Sequence, residues 1–321
     1  MKVCRVGAIL LFLALCPAAH AQYPNKAVRI VAPSSPGNSS DIMARLIADK
    51  LSQKWGQPVV VDNRPGADGR IGAEAVAKAA PDGHTLFIPN AGVITINPAL
   101  FGKMSYDPIK DLAPITQIAT IVIVLAVNPS VPANSLAELV AFARARPGTL
   151  HYATAGNNAG IPYLAGALLR DKAKLHVVHV PYKTNAQAQQ DLLAGQIQFM
   201  YDTLAATLGH AKAGKLRILA TVGSRRTPVL PEVPTLVEAG YAGVDGDAWA
   251  GLFATGGTPK PVLDKIHADV SAILQQAEVR DKLTALGLDV IGSRPEEFAA
   301  VIRADTEKWA AVIRANNIRP E

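Results

Sequence analysis

Two hydrophobic rhythms alternate along the chain. Short apolar runs of strand length are followed by longer stretches whose apolar residues fall three and four apart. Strand patterns occupy residues 28–32, 59–62, 85–89, 125–127, 151–153, 176–180, 199–201 and 218–222. Helical patterns occupy 41–54, 69–80, 136–146, 161–171, 186–194 and 204–213. The strands are nearly continuous in apolar character, as strands buried on both faces are. This β-α-β-α order predicts an α/β protein whose parallel sheets are covered by helices. The most apolar run after the N-terminal segment, 118–127, is β-branched and of strand length. The tail reads differently, as two long amphipathic helices over 261–286 and 294–316. The second opens on Ser293-x-x-Glu296, a capping-box pattern, with Pro295 in its first turn.

No low-complexity linker and no repeat of solenoid period interrupts the pattern. Two α/β lobes joined by strands are expected. The crossings are placed near 124–128 and 220–225. Lobe one then comprises 22–124 with 225–321, and lobe two comprises 125–224.

The first residues read as an address. Lys2 and Arg5 precede an apolar core over 6–16, too short to span a bilayer as a helix. Ala19-His20-Ala21 is an A-x-A cleavage site, so residues 1–21 are expected to be removed, with export to the periplasm. Both cysteines, Cys4 and Cys16, lie in this leader. The expected mature chain therefore has no disulfide, thiolate metal site or cysteine nucleophile. Loss of Lys2 and Arg5 takes the net charge from +6 to +4. The basic residues are scattered, with Arg225-Arg226 the one adjacent pair, which argues against nucleic-acid binding.

Candidate chemistry concentrates in strand–loop–helix turns. Residues 31–51 run from a strand through Pro33, Ser34, Ser35, Gly37 and Asn38 into a helix that Ser39, Ser40 or Asp41 can cap. Such a turn is either a connector or an anion site, in which first-turn N–H groups and the helix dipole face a carboxylate or phosphate. No Lys or Arg lies between Val31 and Ala44, so charge there would meet dipoles and hydroxyls. The pattern recurs at Ala155, Gly156, Asn157, Asn158, Ala159 and Gly160, ahead of the helix carrying Tyr163. Gly156-x-Asn158-x-Gly160 has the spacing of a nucleophile elbow with asparagine where the nucleophile belongs, which favours binding over hydrolysis.

A third turn, with Gly66, Gly69 and Gly72, lacks the P-loop ending and reads as structural, its helix packing closely through glycine. Tyr182 follows a strand and is either packing or cleft lining. Asp202 ends a strand and is either a helix cap or the acceptor for a ligand amine or hydroxyl. His176 and His179 face opposite sides of a strand, and no histidine set has ligand spacing, so neither metal nor cofactor is expected.

Six ordered stretches, 33–45, 59–86, 152–166, 179–202, 214–241 and 248–262, resemble the tripartite tricarboxylate transporter solute-binding proteins, the Bug or TctC-like receptors. The resemblance covers essentially the whole expected mature chain. It implies a type II periplasmic-binding-protein fold, whose mostly parallel two-lobed architecture closes on a small organic carboxylate and docks on a membrane permease. By position, Ser34, Ser35, Gly37, Asn38, Ser39, Ser40 and Asp41 form the lobe-one side. Ala155, Gly156, Asn157, Asn158, Ala159, Gly160 and Tyr163 form the lobe-two side, and Tyr182 and Asp202 line the cleft. Ser34 stands where the family usually has an aromatic, Asn38 where it has a second glycine, and Tyr163 where it often has histidine. The implied receptor is a non-enzymatic monomer. A sensor subunit with the same ligand and a periplasmic hydrolase are the alternatives.

Overall fold

The structure, a computed structural model, describes residues 23–154, 160–182 and 184–319. Among these, eleven strands form two sheets. The chain begins with β1 (Val28–Ala32), α1 (Ser39–Trp55), β2 (Val59–Asn63), a 3-10 turn at Ala67–Gly69 and α2 (Arg70–Ala77). It continues with β3 (Thr85–Phe87), a π-helical turn at Gly92–Ile96, α3 (Asn97–Phe101) and β4 (Leu112–Ile121). The middle holds β5 (Ile123–Val127), α4 (Leu136–Ala145), β6 (His151–Thr154), α5 (Ile161–Lys172) and β7 (Val178–His179). After these come α6 (Asn185–Leu193), β8 (Phe199–Thr203), α7 (Leu204–Lys212) and β9 (Arg217–Thr221). The tail is β10 (Ala248–Thr255), α8 (Lys260–Leu274), α9 (Ala277–Ala285), β11 (Leu288–Val290) and α10 (Pro295–Ala315).

One sheet has the order β11-β4-β10-β3-β1-β2 and the other β7-β6-β8-β5-β9. Strands linked through a helix are parallel, β1 with β2 and β3, and β6 with β7 and β8. The strands that carry the chain between sheets, β4, β5, β9 and β10, pair antiparallel with their neighbours. A helix crossover returns the chain to the same end of a sheet and gives a parallel neighbour, whereas a strand arriving from the other lobe has no such constraint.

The first passage between sheets takes a single residue. β4 ends at Ile121 and β5 begins at Ile123, which puts the passage at Val122, ahead of the stretch expected from sequence. The Val122 carbonyl accepts from Leu204 N at 2.8 Å, and Val222 N donates to Ile123 O at 2.9 Å, so both passages are tied together. The apolar run 118–127 is thus two strands in different sheets.

The tail departs from the expected pattern in two places. The helix expected over 261–286 divides at Gln276, whose extended backbone separates α8 from α9. Glu278 in the first turn of α9 pairs with Lys50 of α1 at 2.9 Å and Lys282 at 2.8 Å. The last helix is capped one residue later than expected. Arg294 is the cap residue, and its N–H donates to Glu297 Oε2 at 3.0 Å. Ser293 instead ties the helix to β4, its Oγ accepting from Gln117 N at 3.0 Å and its carbonyl from Thr116 Oγ1 at 2.8 Å.

Helix α10 spans both halves. Phe298 meets Trp249 edge-on with ring centroids 5.0 Å apart, and Trp249 Nε1 donates to Asp305 at 2.7 Å. Burying an aromatic of this size contributes on the order of 2–3 kcal/mol. Further along, Trp309 lies against Gly246, beside Ile161 of α5. The Tyr163 hydroxyl donates to the Arg319 carbonyl at 3.3 Å, which clasps the C-terminal stretch to α5.

Candidate functional site

The first loop leaves the carboxyl end of β1, where two parallel neighbours leave a crevice of the kind that receives ligands in α/β sheets. Gly37 has φ +84°, a left-handed conformation that glycine adopts without penalty. Asn38 caps α1, its side chain accepting from Ser40 N at 3.4 Å. Ser35, Gly37 and Asn38 are exposed, Ser34 and Ser39 are half-buried, and Ser40 is buried. The Ser34 hydroxyl is sealed from solvent without a partner, while its carbonyl accepts from Asn63 Nδ2 at 3.0 Å. The first-turn N–H groups of α1 are those a helix leaves unmatched, and its positive dipole end points the same way.

Asp41 braces this loop. One oxygen accepts from Gly37 N at 2.8 Å and Arg45 Nε at 3.1 Å, and the other from Asn63 Nδ2 at 2.9 Å. Burial alone would push its carboxyl up, but the hydrogen bonds from Arg45, Gly37 and Asn63 outweigh it and hold it below the usual carboxylate range. Its side chain is thereby spent on the shape of the loop and on neutralising Arg45. Asn63, the last residue of β2, is the second brace. The polar end of the apolar strand 59–62 was its one signal.

Glycine brings α2 against the same loop. A Cβ on Gly72 would lie 3.0 Å from Pro33 Cβ, so this close packing matches the structural reading of the third turn.

On the other sheet, β6 ends at Thr154 and α5 begins after Gly160. Five predicted contacts, Ala155, Gly156, Asn157, Asn158 and Ala159, lie outside the described residues. Gly160 is the extended N-cap of α5, whose first turn carries no side-chain cap and no acidic residue. Tyr163 is buried, its ring 5.4 Å from that of His179 and its hydroxyl on Arg319. Tyr182 donates to Asp191 at 2.7 Å, and partial burial together with this contact pushes its phenol up to about 12. Tyr163 and Tyr182 thus have their hydroxyls engaged within the protein.

Asp202 occupies the carboxyl end of β8. Thr154 pairs with Tyr201, so the chain leaves β6 alongside Asp202. Asp202 also pairs with Val124, two residues beyond the passage between sheets. Its Oδ1 accepts from Thr203 N at 2.6 Å and Asn185 Nδ2 at 3.1 Å. Its Oδ2 is buried without a partner, as is Asn185 Oδ1. Burial pushes this carboxyl up to about 6, against the hydrogen bonds it receives. Asn185 was passed over in the sequence because it sits among the polar residues that open α6.

The crevice at β1 and the end of β6 with β8 flank the passage at Val122. Among the described residues, no group of three or more His, Cys, Asp or Glu is placed to hold a metal ion. No helix among them is long and apolar enough to cross a membrane.

Residues 43–318 match the model of the tripartite tricarboxylate transporter family receptors, TctC. The chain belongs to this family. A relative, the UPF0065 protein of the tcbD-tcbE intergenic region of a Pseudomonas species, is 36% identical over 288 residues, covering 89% of this chain and 85% of that one. Among solved structures, an R. palustris protein with adipate superposes at a TM-score of 0.86, with 33% identity over 93% of this chain and all of the other. MatC of Rhodopseudomonas palustris with bound malate gives a TM-score of 0.81, with 34% identity over 91% of this chain and all of MatC. The periplasmic binding protein BugD superposes at a TM-score of 0.83, with 30% identity over 93% of this chain and all of BugD, so the fold is that of a periplasmic binding protein, and the receptor character of the family comes with membership.

Proposed function

We propose that this chain is an extracytoplasmic receptor that captures a small organic carboxylate and presents it to the permease of a tripartite tricarboxylate-type transporter. It does so without catalysis, as a monomer free to open and close. Its lobes are 22–124 with 225–321, and 125–224. The leader over 1–21 directs it to the periplasm and is cleaved after Ala21.

One observation carries this reading. Each sheet ends a parallel strand, β1 or β6, in a loop that opens a helix without a cationic side chain in its first turn, and the two lie on either side of one passage. A carboxylate is suited to both, since unmatched N–H groups and helix dipoles favour an anion that bridges them. The ligand then holds the lobes together and shifts the population toward closure. Ser34, Ser35, Gly37, Asn38, Ser39 and Ser40 supply one half of the clamp. Ala155, Gly156, Asn157, Asn158, Ala159 and Gly160 supply the other. Asp41 shapes the first half, and Tyr163, Tyr182 and Asp202 support the second. Adipate and malate, bound by two structural neighbours, set the size and charge of the acids to try first.

Thermal unfolding of ligand-stripped protein against dicarboxylates, tricarboxylates, acidic amino acids and aromatic acids tests the proposal. An acid at a hundred times its Kd adds about 2.7 kcal/mol. A shift with an acid and none with its amide supports the clamp. A folded, empty protein that responds to no acid overturns it.

A further inference from the structure

The Asn185–Asp202 contact has an electronic oddity. The two side chains share one hydrogen bond, from Asn185 Nδ2 to Asp202 Oδ1 at 3.1 Å. The other oxygen of each, Asn185 Oδ1 and Asp202 Oδ2, is sealed from solvent and makes no hydrogen bond, although the Thr203 and Thr207 hydroxyls lie beside the Asp202 carboxyl and favour its ionised form. An ionised carboxylate beside a carboxamide leaves two buried acceptors without a formed bond, a costly arrangement where water is excluded. Reversing the amide would face its oxygen toward Asp202 Oδ1 and lose the one bond that exists. A single proton on Asp202 Oδ2 removes both faults. The carboxyl then donates to Asn185 Oδ1 while the amide donates to Asp202 Oδ1, closing an acid–amide ring.

We infer that Asp202 and the Asn185 amide share a single proton held on Asp202 Oδ2, and that capture of a carboxylate in the adjoining cleft draws this proton back in wherever the ligand-free pair has lost it. The first half stands on the two side chains alone. The second rests on the carboxylate-receptor reading above.

The surroundings favour the neutral form. Asp202 is 1% exposed. The facing groups are Val124 from β5, Thr154 from β6, Asn185 from α6 and Thr203 with Thr207 from the start of α7. Thr154 is itself occupied with His179 Nε2 at 3.2 Å, and Asp191 of α6 with the Tyr182 hydroxyl. The remaining charged or titratable side chains of the packed helices, Arg170, Asp171 and Lys172 of α5 and His210 and Lys212 of α7, stand in the last turns, away from the carboxyl end of β8. Burial is the largest influence on this carboxyl, and it acts to retain the proton.

The consequence for binding is electrostatic. A bare carboxylate in the wall of an anion site would repel the ligand, and a bound anion strengthens the hold of Asp202 on its proton. Binding and protonation are then linked, so affinity falls as pH rises where the free protein is ionised and the complex is not, by at most about tenfold per pH unit.

Calorimetry of the intact mature protein with malate and with adipate tests this. At about pH 7.5, in two buffers of different ionisation heat, the wild type is expected to show uptake of up to about one proton. Asp202→Asn, whose amide mimics the protonated acid, is expected to bind with no uptake and a Kd flat with pH. Equal wild-type heats in both buffers would overturn the coupling. So would a folded Asp202→Asn protein that binds neither acid at any pH, since Asp202 would then serve as an ionised acceptor. The ligand-free protein gives an independent arm, the Asp202 carboxyl carbon followed by NMR. A midpoint near 6 supports the shared proton, and one near the ordinary value of about 4 overturns it. Should neither acid bind, the acid that stabilises the protein in the thermal panel takes their place, a panel with no response overturns the receptor reading, and the ligand-free midpoint still decides the proton.

Discussion

Asp41 and Asp202 are both almost wholly buried, yet they respond to pH in opposite senses. Asp41 is held below its ordinary range, so the stability it contributes is present above that range and lost as pH falls through its folded value. Replacing it with alanine strands Arg45, Asn63 and the Gly37 N–H, and should cost about 2–4 kcal/mol in denaturant unfolding, with weakened ligand binding. Asp202 is raised from 3.8 to about 6, so its favourable contribution is complete below the unfolded value and is lost as pH rises through 6. That shift corresponds to about 3 kcal/mol. Asp202→Asn should therefore be more stable than wild type at pH 8 and lose the advantage near pH 4, as read by midpoints of urea unfolding. A variant less stable than wild type at both pH values would contradict the shared proton. Neither role was readable from residue type, since each depends on a partner distant in sequence or hidden among polar neighbours, Asn63 for one and Asn185 for the other.

At the level of elements, Gly72 sets how closely α2 approaches the first loop. Gly72→Ala places a methyl 3.0 Å from Pro33 Cβ and 3.2 Å from its Cα, neither of which belongs to a flexible tip. The variant should lose about 1–2 kcal/mol and bind more weakly, because relief requires moving the loop itself. Equal affinity in calorimetry would separate this packing from the site. Most helices and the parallel strands were legible because an amphipathic stripe or a continuous apolar run marks each one locally. Strand β10 was not, although all eight of its residues are buried, because small residues such as Ala250 and Gly251 give it no recognisable period. Gly251 is there for Phe298, whose ring would lie 2.1 Å from an added Cβ. The break at Gln276 was equally hidden, since no glycine or proline marks it in the sequence. For the site, the two loops announced themselves by composition, whereas their braces are tertiary.

Across the whole molecule, ligand closure should appear as a contraction in solution scattering, with the lobes rotating about the paired passages at Val122 and Val222. Trp309, wedged between Gly246 and Ile161, should report the same change in fluorescence. Absence of both in protein shown to be saturated would count against hinge closure. The paired passages have another consequence, in how the molecule bears load. The five-stranded sheet is built from one continuous stretch that leaves β4 at Val122 and ends with β9, and its two ends are neighbours, Val124 paired with Thr221. Pulling on the N- and C-terminal ends of the described chain first breaks the Tyr163–Arg319 clasp and then loads the six-stranded half, which contains β1 and against which α10 packs. Once that clasp has yielded, the inserted stretch is shielded for as long as β4 and β10 stay zipped. Optical-trap unfolding should therefore show the six-stranded half yield first and the inserted half rip second as a separate event. A bound ligand that bridges both halves should merge the two events into one.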